Sequence, residues 1–221
     1  MFDSIAGKYD FLNHFFSLGI DKLWRKKLVK RLVKTMPVDV LDVATGTGDQ
    51  AIAAAKAGVS NVIGIDISEQ MLAEGRKKVV ARKLADRITF EYGNCEDLQF
   101  ADSSFDAVSV TFGVRNFEHL EKGLAEIYRV LRPGGQAFIL EFSMPKNLIV
   151  RGLYRFYFFR VMPFIGRLIS KDKHAYTYLP TSVDPFPKRE FFLKSLHSLG
   201  FVNTYRISLS FGIAELYVGQ R

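Results

Sequence analysis

The 221-residue chain holds a single cysteine, Cys95, so no intrachain disulfide can form. That composition suits a reducing compartment, and a cytoplasmic location is expected. No apolar run is long enough to cross a bilayer. The most aromatic stretch, 148–169, is broken by Arg151, Arg155, Arg160 and Arg167, whereas a spanning helix needs about 20 nearly uncharged residues. Asp3, Lys8, Asp10 and His14 interrupt the opening segment in the same way, so no secretory leader is expected. The four histidines, His14, His119, His174 and His197, lack ligand spacing, and no metal site is expected. What is present argues for a packed domain. Hydrophobic residues make up 48% of the chain, too many for disorder. The length suits one domain with a full core. Lys and Arg outnumber Asp and Glu by 31 to 23, giving a net charge of +8. Such an excess draws polyanions or simply keeps the chain soluble.

The apolar pattern alternates between strand and helix lengths. Residues 21–35 predict a helix capped by Asp21, with Leu28, Val29, Leu32 and Val33 inward. Its other face carries Lys22, Arg25, Lys26, Lys30 and Lys34, read as solvated. Strands are predicted at 38–43, 62–66, 88–92, 105–110 and 136–142, with helices at 49–57, after Ser68 and at 119–131. Arg132-Pro133-Gly134-Gly135 reads as a turn. Alternating strands and helices imply a mostly parallel sheet covered on both faces. Two strands at 201–208 and 214–219, with no helix between them, predict an antiparallel pair at one edge. The expected division is a helical cap over 1–35, a core over 36–142, a lid insertion over 143–190, and a C-terminal helix and strand pair over 191–221.

A parallel α/β sheet binds ligands beyond the carboxyl ends of its strands. Four segments fall there. Leu41 to Asp49 contains Gly46 and Gly48, which let backbone approach a ligand closely. This turn lacks the third glycine of the dinucleotide fingerprint and the Lys of a Walker loop, which weighs against nicotinamide and nucleoside triphosphate binding. Asp66 ends the second strand, where a carboxylate can accept from ribose hydroxyls or else cap a helix. Asn94-Cys95-Glu96-Asp97 follows the third strand, and Thr111-Phe112-Gly113 ends the fourth. A nucleic-acid methylating enzyme would usually show Asn-Pro-Pro-Tyr at that last position, so no nucleic-acid partner is expected.

This constellation resembles the class I S-adenosylmethionine-dependent methyltransferases, with a Rossmann-like seven-stranded sheet. More narrowly, the chain resembles the menaquinone/ubiquinone biosynthesis C-methyltransferase family. The segments that carry this are MFDSIAGKYDFLNHFFSLGIDKLWRK, LDVATGTGD, GIDISEQML, FGVRNF, RVLRPGG, LEFSMP, YTYLPTSVDPFP and FGIAELYVG. The opening segment, FGVRN and YLPTSV are the specific ones. The resemblance implies S-adenosylmethionine contacts at Thr47, Asp66, Asn94, Cys95 and Thr111, with Gly46 and Gly48 shaping the turn. It implies a prenylated quinol as acceptor. The form of the glycine turn leans toward demethylmenaquinol over 2-polyprenyl-6-methoxy-benzoquinol.

An oxidised quinone ring is electron-poor, so the acceptor should be the hydroquinone. Arg115 and Asn116, beyond the fourth strand, are the candidates for stabilising a developing phenolate, although Arg115 can equally pin a loop by pairing with a carboxylate. Tyr9 in the opening segment is a third candidate, and His174, Tyr176 and Tyr178 lie in the lid. Six cations and one acid occupy 151–173 among Tyr154, Phe156, Tyr157, Phe158, Phe159 and Phe164. Interleaved rings and arginines suit peripheral contact with an anionic membrane, a tunnel for a prenyl tail, single-stranded nucleic acid, or a helical hairpin packed on the sheet, and peripheral membrane contact is the favoured reading. A homodimer is left open.

Overall fold

The structure is a computed structural model, and it describes residue 17, residues 19–161 and residues 189–221. Tyr9, His14, His174, Tyr176 and Tyr178, with the part of the expected lid over 162–188, lie outside the described residues.

Helix α1, Ile20–Leu32, starts from Gly19 in the left-handed region (φ 73°). Asp21 stands in its first turn instead of at the cap, and accepts from the Ser17 hydroxyl at 2.6 Å. The helix gives way to a 3-10 turn, Val33–Thr35. The chain then alternates through β1 (Asp39–Val43), α2 (Asp49–Lys56), β2 (Asn61–Asp66), α3 (Glu69–Ala81), β3 (Ile88–Tyr92), β4 (Phe105–Thr111), α4 (Leu120–Val130) and β5 (Leu131–Phe142). Helices α5 (Leu148–Phe156) and α6 (Arg189–Ser198) follow, then β6 (Val202–Leu209) and β7 (Ala214–Gln220). Arg189 and Glu190, the last two residues of the expected lid, lie in helix α6.

The seven strands order as β3-β2-β1-β4-β5-β7-β6. The first five are parallel, and β7 runs antiparallel between β5 and β6. Sequence order reverses at the β1–β4 pair, so the connections leave these two strands in opposite directions and a crevice opens above them. The RPGG segment is not a turn between helix and strand. Phe105 pairs with Leu131 and Ala107 with Gln136, so 132–135 bulge out within β5. Arg132 on this bulge bridges Asp106 (2.6 Å) and Asp39 (2.9 Å) at the amino ends of the strands, away from the crevice.

Strand alternation sorts the core. Val40, Ala107, Phe138, Leu140, Leu216 and Val218 face α1, α2 and α3. Leu41, Val43, Val108, Val110, Ile139 and Tyr217 face α4 and α6. The same period of two puts Asp42, Ser109 and Thr111 on the α1–α2 face, where polar groups must find partners. Asp42 and Ser109 are register partners, and the Ser109 hydroxyl donates to Asp42 at 2.7 Å.

Candidate active site

The β1 turn is built on positive φ. Ala44 (φ 53°), Gly46 (φ 57°) and Gly48 (φ 79°) reverse the chain within five residues. A Cβ on Gly46 would meet nothing within 4 Å, so its backbone fronts open space. A Cβ on Gly48 would lie 2.2 Å from the Phe90 ring. Thr45 locks the turn downward, its hydroxyl donating to the buried Asp42 carboxylate at 2.6 Å. Burial pushes the Asp42 carboxyl up to about 6, against the pull of the Thr45 and Ser109 hydroxyls and the Arg25 charge.

Asp66, at the end of β2, accepts from the Gly46 N–H (2.8 Å) and the Ser68 N–H (2.9 Å). It thus ties two neighbouring strand-end loops together. Capping of α3 falls to Ser68, whose hydroxyl accepts from the Met71 N–H at 3.3 Å. In the third loop the Asn94 side chain accepts from the Glu96 N–H at 2.9 Å. Glu96 in turn accepts from the backbone N–H of His119 (2.8 Å) and faces its ring at 2.9 Å, which fixes this loop to the start of α4. Burial pushes the Cys95 thiol up to about 12, so it is no ready nucleophile. In the fourth loop Gly113 packs on the first: a Cβ there would stand 2.5 Å from the Ala44 Cβ.

These four loops meet on one cavity of about 220 Å³, lined among others by Gly46, Asp66, Asn94, Cys95, Thr111 and Asn116. Thr47 lies off it. Its hydroxyl accepts from Lys78 Nζ at 3.0 Å, and it lines a second cavity of about 30 Å³ on the α1–α2 side. Arg115 is not among the residues lining either cavity. Its guanidinium is buried, donating to Glu141 at 2.6 Å and to the Phe112 carbonyl at 2.5 Å, and it lies 5.5 Å from the centre of the Phe142 ring. Glu141, wholly buried, also accepts from the Arg115 N–H at 3.2 Å. The geometry therefore gives Arg115 the carboxylate partner that its loop-pinning reading requires.

Two residues passed over in the sequence belong to this region. Arg25 is turned inward, 5.5 Å from the centre of the Phe112 ring, instead of facing solvent with the lysines of α1. Gln50, 1% exposed, sits in the first turn of α2. A signal existed for Arg25: positions 21, 25, 28 and 32 share one helical stripe with buried Asp21, Leu28 and Leu32.

The residues present fit a nucleoside-linked sulfonium donor. Gly46 fronts open space, Asp66 stands at the rim, and Thr111 Oγ1 is buried with no hydrogen-bond partner. Among the described residues there is no group of three or more His, Cys, Asp or Glu placed to hold a metal.

Comparison with known proteins agrees. The profile of the ubiE/COQ5 methyltransferase family matches residues 1–221. A Geotalea daltonii protein named ubiquinone/menaquinone biosynthesis C-methyltransferase UbiE is 47% identical, covering 100% of this chain and 94% of that protein. A demethylmenaquinone methyltransferase of Porphyromonas gingivalis is 47% identical, covering 99% of this chain and 90% of that one. In fold, the chain is similar to the crystal structure of a putative S-adenosylmethionine-dependent methyltransferase from Methanococcus maripaludis. The TM-score is 0.72 at 19% identity, covering 100% of this chain and 94% of that one. The loops that converge at the β1–β4 crevice and the full-length match together show that this chain belongs to the ubiE/COQ5 methyltransferase family.

Proposed function

We propose that this chain transfers a methyl group from S-adenosylmethionine to a ring carbon of demethylmenaquinol. The observation that carries the reading is the meeting of all four strand-end loops on a single cavity, in a chain whose full-length relatives are named for this reaction. The donor supplies an electrophilic methyl group when bound. Gly46, Asp66, Asn94 and Thr111 would hold it, and Cys95 contributes through its place in the wall rather than through thiol chemistry.

The rest falls to alignment and to the acceptor. Holding the donor methyl and the ring carbon in line can supply roughly 7–11 kcal/mol of the barrier. Asn116 lines the cavity, and its carboxamide suits a phenolic oxygen. Arg115 is a positioning residue in this reading. Through Glu141 it sets the Val114–Asn116 turn and hence Asn116. No described side chain is assigned as general base.

Delivery of a prenylated acceptor calls for contact with a membrane. Leu148, Ile149, Leu153 and Phe156 of α5 are all more than 60% exposed, beside exposed Arg151, Arg155 and Arg160. No helix among the described residues is long and apolar enough to cross a membrane. Apolar side chains at the acyl boundary with arginines on phosphates suit peripheral binding at the cytoplasmic face.

The test is methyl transfer from labelled donor to reduced and oxidised acceptors. Turnover is expected with the naphthoquinol and none with the oxidised quinone. Efficient methylation of oxidised rings would overturn the assignment of the acceptor. Because the Geotalea relative's name covers both quinones, a methoxybenzoquinol arm belongs in the same assay.

A further inference from the structure

The FGIAELYVG segment singled out in the sequence opens on a tip that the proposed reaction leaves without a role. Ser210, Phe211 and Gly212 join β6 to β7, and all three hold positive φ (45°, 59° and 88°). Gly212 needs the freedom of glycine, because a Cβ there would lie 2.5 Å from Arg189 Nη2. Phe211 is the anomaly. In the left-handed region a side chain crowds its own backbone, and a bulky ring is an outlier there.

The conformation is imposed from both sides of the ring. Trp24 Nε1 donates to the Ser210 hydroxyl at 2.9 Å. Arg189 Nη2 donates to the Gly212 carbonyl at 2.8 Å and to the Met144 carbonyl at 2.9 Å. The Ser143 N–H donates to the Ile213 carbonyl at 2.9 Å. These bonds hold the chain on either side of Phe211 and leave its ring outside, 84% exposed. Asparagine or glycine would occupy this φ with less strain, so the fold alone does not account for an exposed phenyl group here.

The position of the tip identifies what meets the ring. Ala214 pairs with Phe142, so the tip stands at the carboxyl end of β5, on the rim where the four loops form the donor cavity. Helix α5 leaves the same rim, just after the Met144 that shares Arg189 with Gly212. Its exposed Leu148, Ile149, Leu153 and Phe156 therefore flank the rim that carries Phe211. The sequence from Met144 to Val161 holds no acid, and Arg151, Arg155 and Arg160 are exposed. Apolar side chains among cations, with no carboxylate to repel phosphate, match the headgroup boundary of an anionic bilayer. We propose that Phe211 is a membrane anchor whose ring enters that boundary beside α5 and turns the cavity rim toward the source of the acceptor. The inference rests on the prenylated acceptor assigned above. It adds a second contact on another element, and two contacts fix an orientation that one helix leaves free to roll.

The test uses the full chain with vesicles of phosphatidylcholine, with and without phosphatidylglycerol. Phe211→Trp places an indole at the tip, while Trp24 stays buried. Emission from the tip should shift to the blue on vesicles and be quenched by brominated acyl chains. Phe211→Asn keeps a side chain that tolerates left-handed backbone. It should partition onto the phosphatidylglycerol vesicles about 10-fold more weakly, the lower end of what burying a phenyl group contributes. Its urea midpoint should stay level or rise, and its methylation of a short-tailed, water-soluble naphthoquinol should not change. Unaltered partition of Phe211→Asn would overturn the inference, as would emission from Phe211→Trp that vesicles leave unshifted. Loss of a dimer in Phe211→Asn with vesicle binding intact would also overturn it, making the tip a contact between copies. Vesicle binding that depends on the ring, in a chain that methylates no prenylated quinol, would leave the anchor standing and overturn the acceptor assignment instead.

Discussion

Asp42 offers the sharpest test of the electrostatics beneath the glycine turn. It is wholly buried, and burial lifts its carboxyl from 3.8 to about 6 despite donors from Thr45 and Ser109 and the charge of Arg25. In the unfolded chain the group has its ordinary value, so between these limits the folded state binds the extra proton. The stability this contributes is complete below about pH 3.8 and is lost as pH rises through about 6. A shift of about 2 units corresponds to about 3 kcal/mol once both states are ionised. Asp42→Asn removes the titration and keeps the shape. One of the two hydroxyls must turn to accept from the new amide, which hydroxyls can do. The variant should match the native chain near pH 4 and exceed it by roughly 1–3 kcal/mol at pH 8. Urea unfolding at several pH values would measure this. Trp24, the only tryptophan and 4% exposed, reports the transition by its fluorescence. A difference between the two chains that does not grow from pH 4.5 to 7.5 would refute the reasoning.

Other perturbations act on the remaining joints of the site. Asp66→Ala removes the acceptor shared by the Gly46 and Ser68 N–H groups. It should weaken donor binding more than about 10-fold by calorimetry, and unchanged affinity would remove Asp66 from the site. Gly48→Ala places a Cβ 2.2 Å from the Phe90 ring at φ 79°. It should cost about 2–5 kcal/mol in chemical unfolding, and pairing it with Phe90→Leu should recover part of that. Glu141→Gln leaves the Arg115 guanidinium buried without its counter-charge. It should destabilise the chain by about 3–5 kcal/mol and lower kcat more than it raises the donor KM. Loss of donor binding with kcat intact would contradict the positioning role of Arg115.

The alternation of strands and helices was legible because apolar periods of two and 3.6 residues rarely coincide by chance over a hundred positions. The carboxyl-end loops were legible for a related reason: once the strands are placed, their ends are too. Side-chain partners across the chain were not. Glu141 sits in the apolar run Ile139-Leu140-Glu141-Phe142, and nothing local names the residue that neutralises it. Its partner Arg115 is on another loop, brought alongside by the pairing of β4 with β5. The RPGG segment carries strong turn residues, but Arg132 and the Gly134 N–H, which donates to the Arg221 carbonyl at 2.8 Å, hold it as a bulge inside a strand. Local propensity gave way to pairing at both ends of the segment.

Arg25 shows how a composition-level reading misleads. Five cations on one helix suggest a solvated face, and Lys22, Lys26, Lys30 and Lys34 are indeed exposed. Arg25 differs because it occupies the stripe of Leu28 and Leu32, and because a guanidinium tolerates an aromatic floor where an ammonium prefers water. Partly buried, it lines the small cavity together with Asp42 on this face of the sheet. An ionised Asp42 destabilises the folded chain near neutral pH, yet with Asp49 it is one of two carboxylates lining the small cavity beside Arg25, which Asp21 also approaches at 3.7 Å. Because the small cavity that Asp42 lines shares Ala44, Gly46, Thr111 and Phe112 with the large one, Asp42→Asn should stabilise the empty protein and weaken its grip on S-adenosylmethionine in the same preparation. Stability and affinity rising together in that variant would show that Asp42 serves the fold alone.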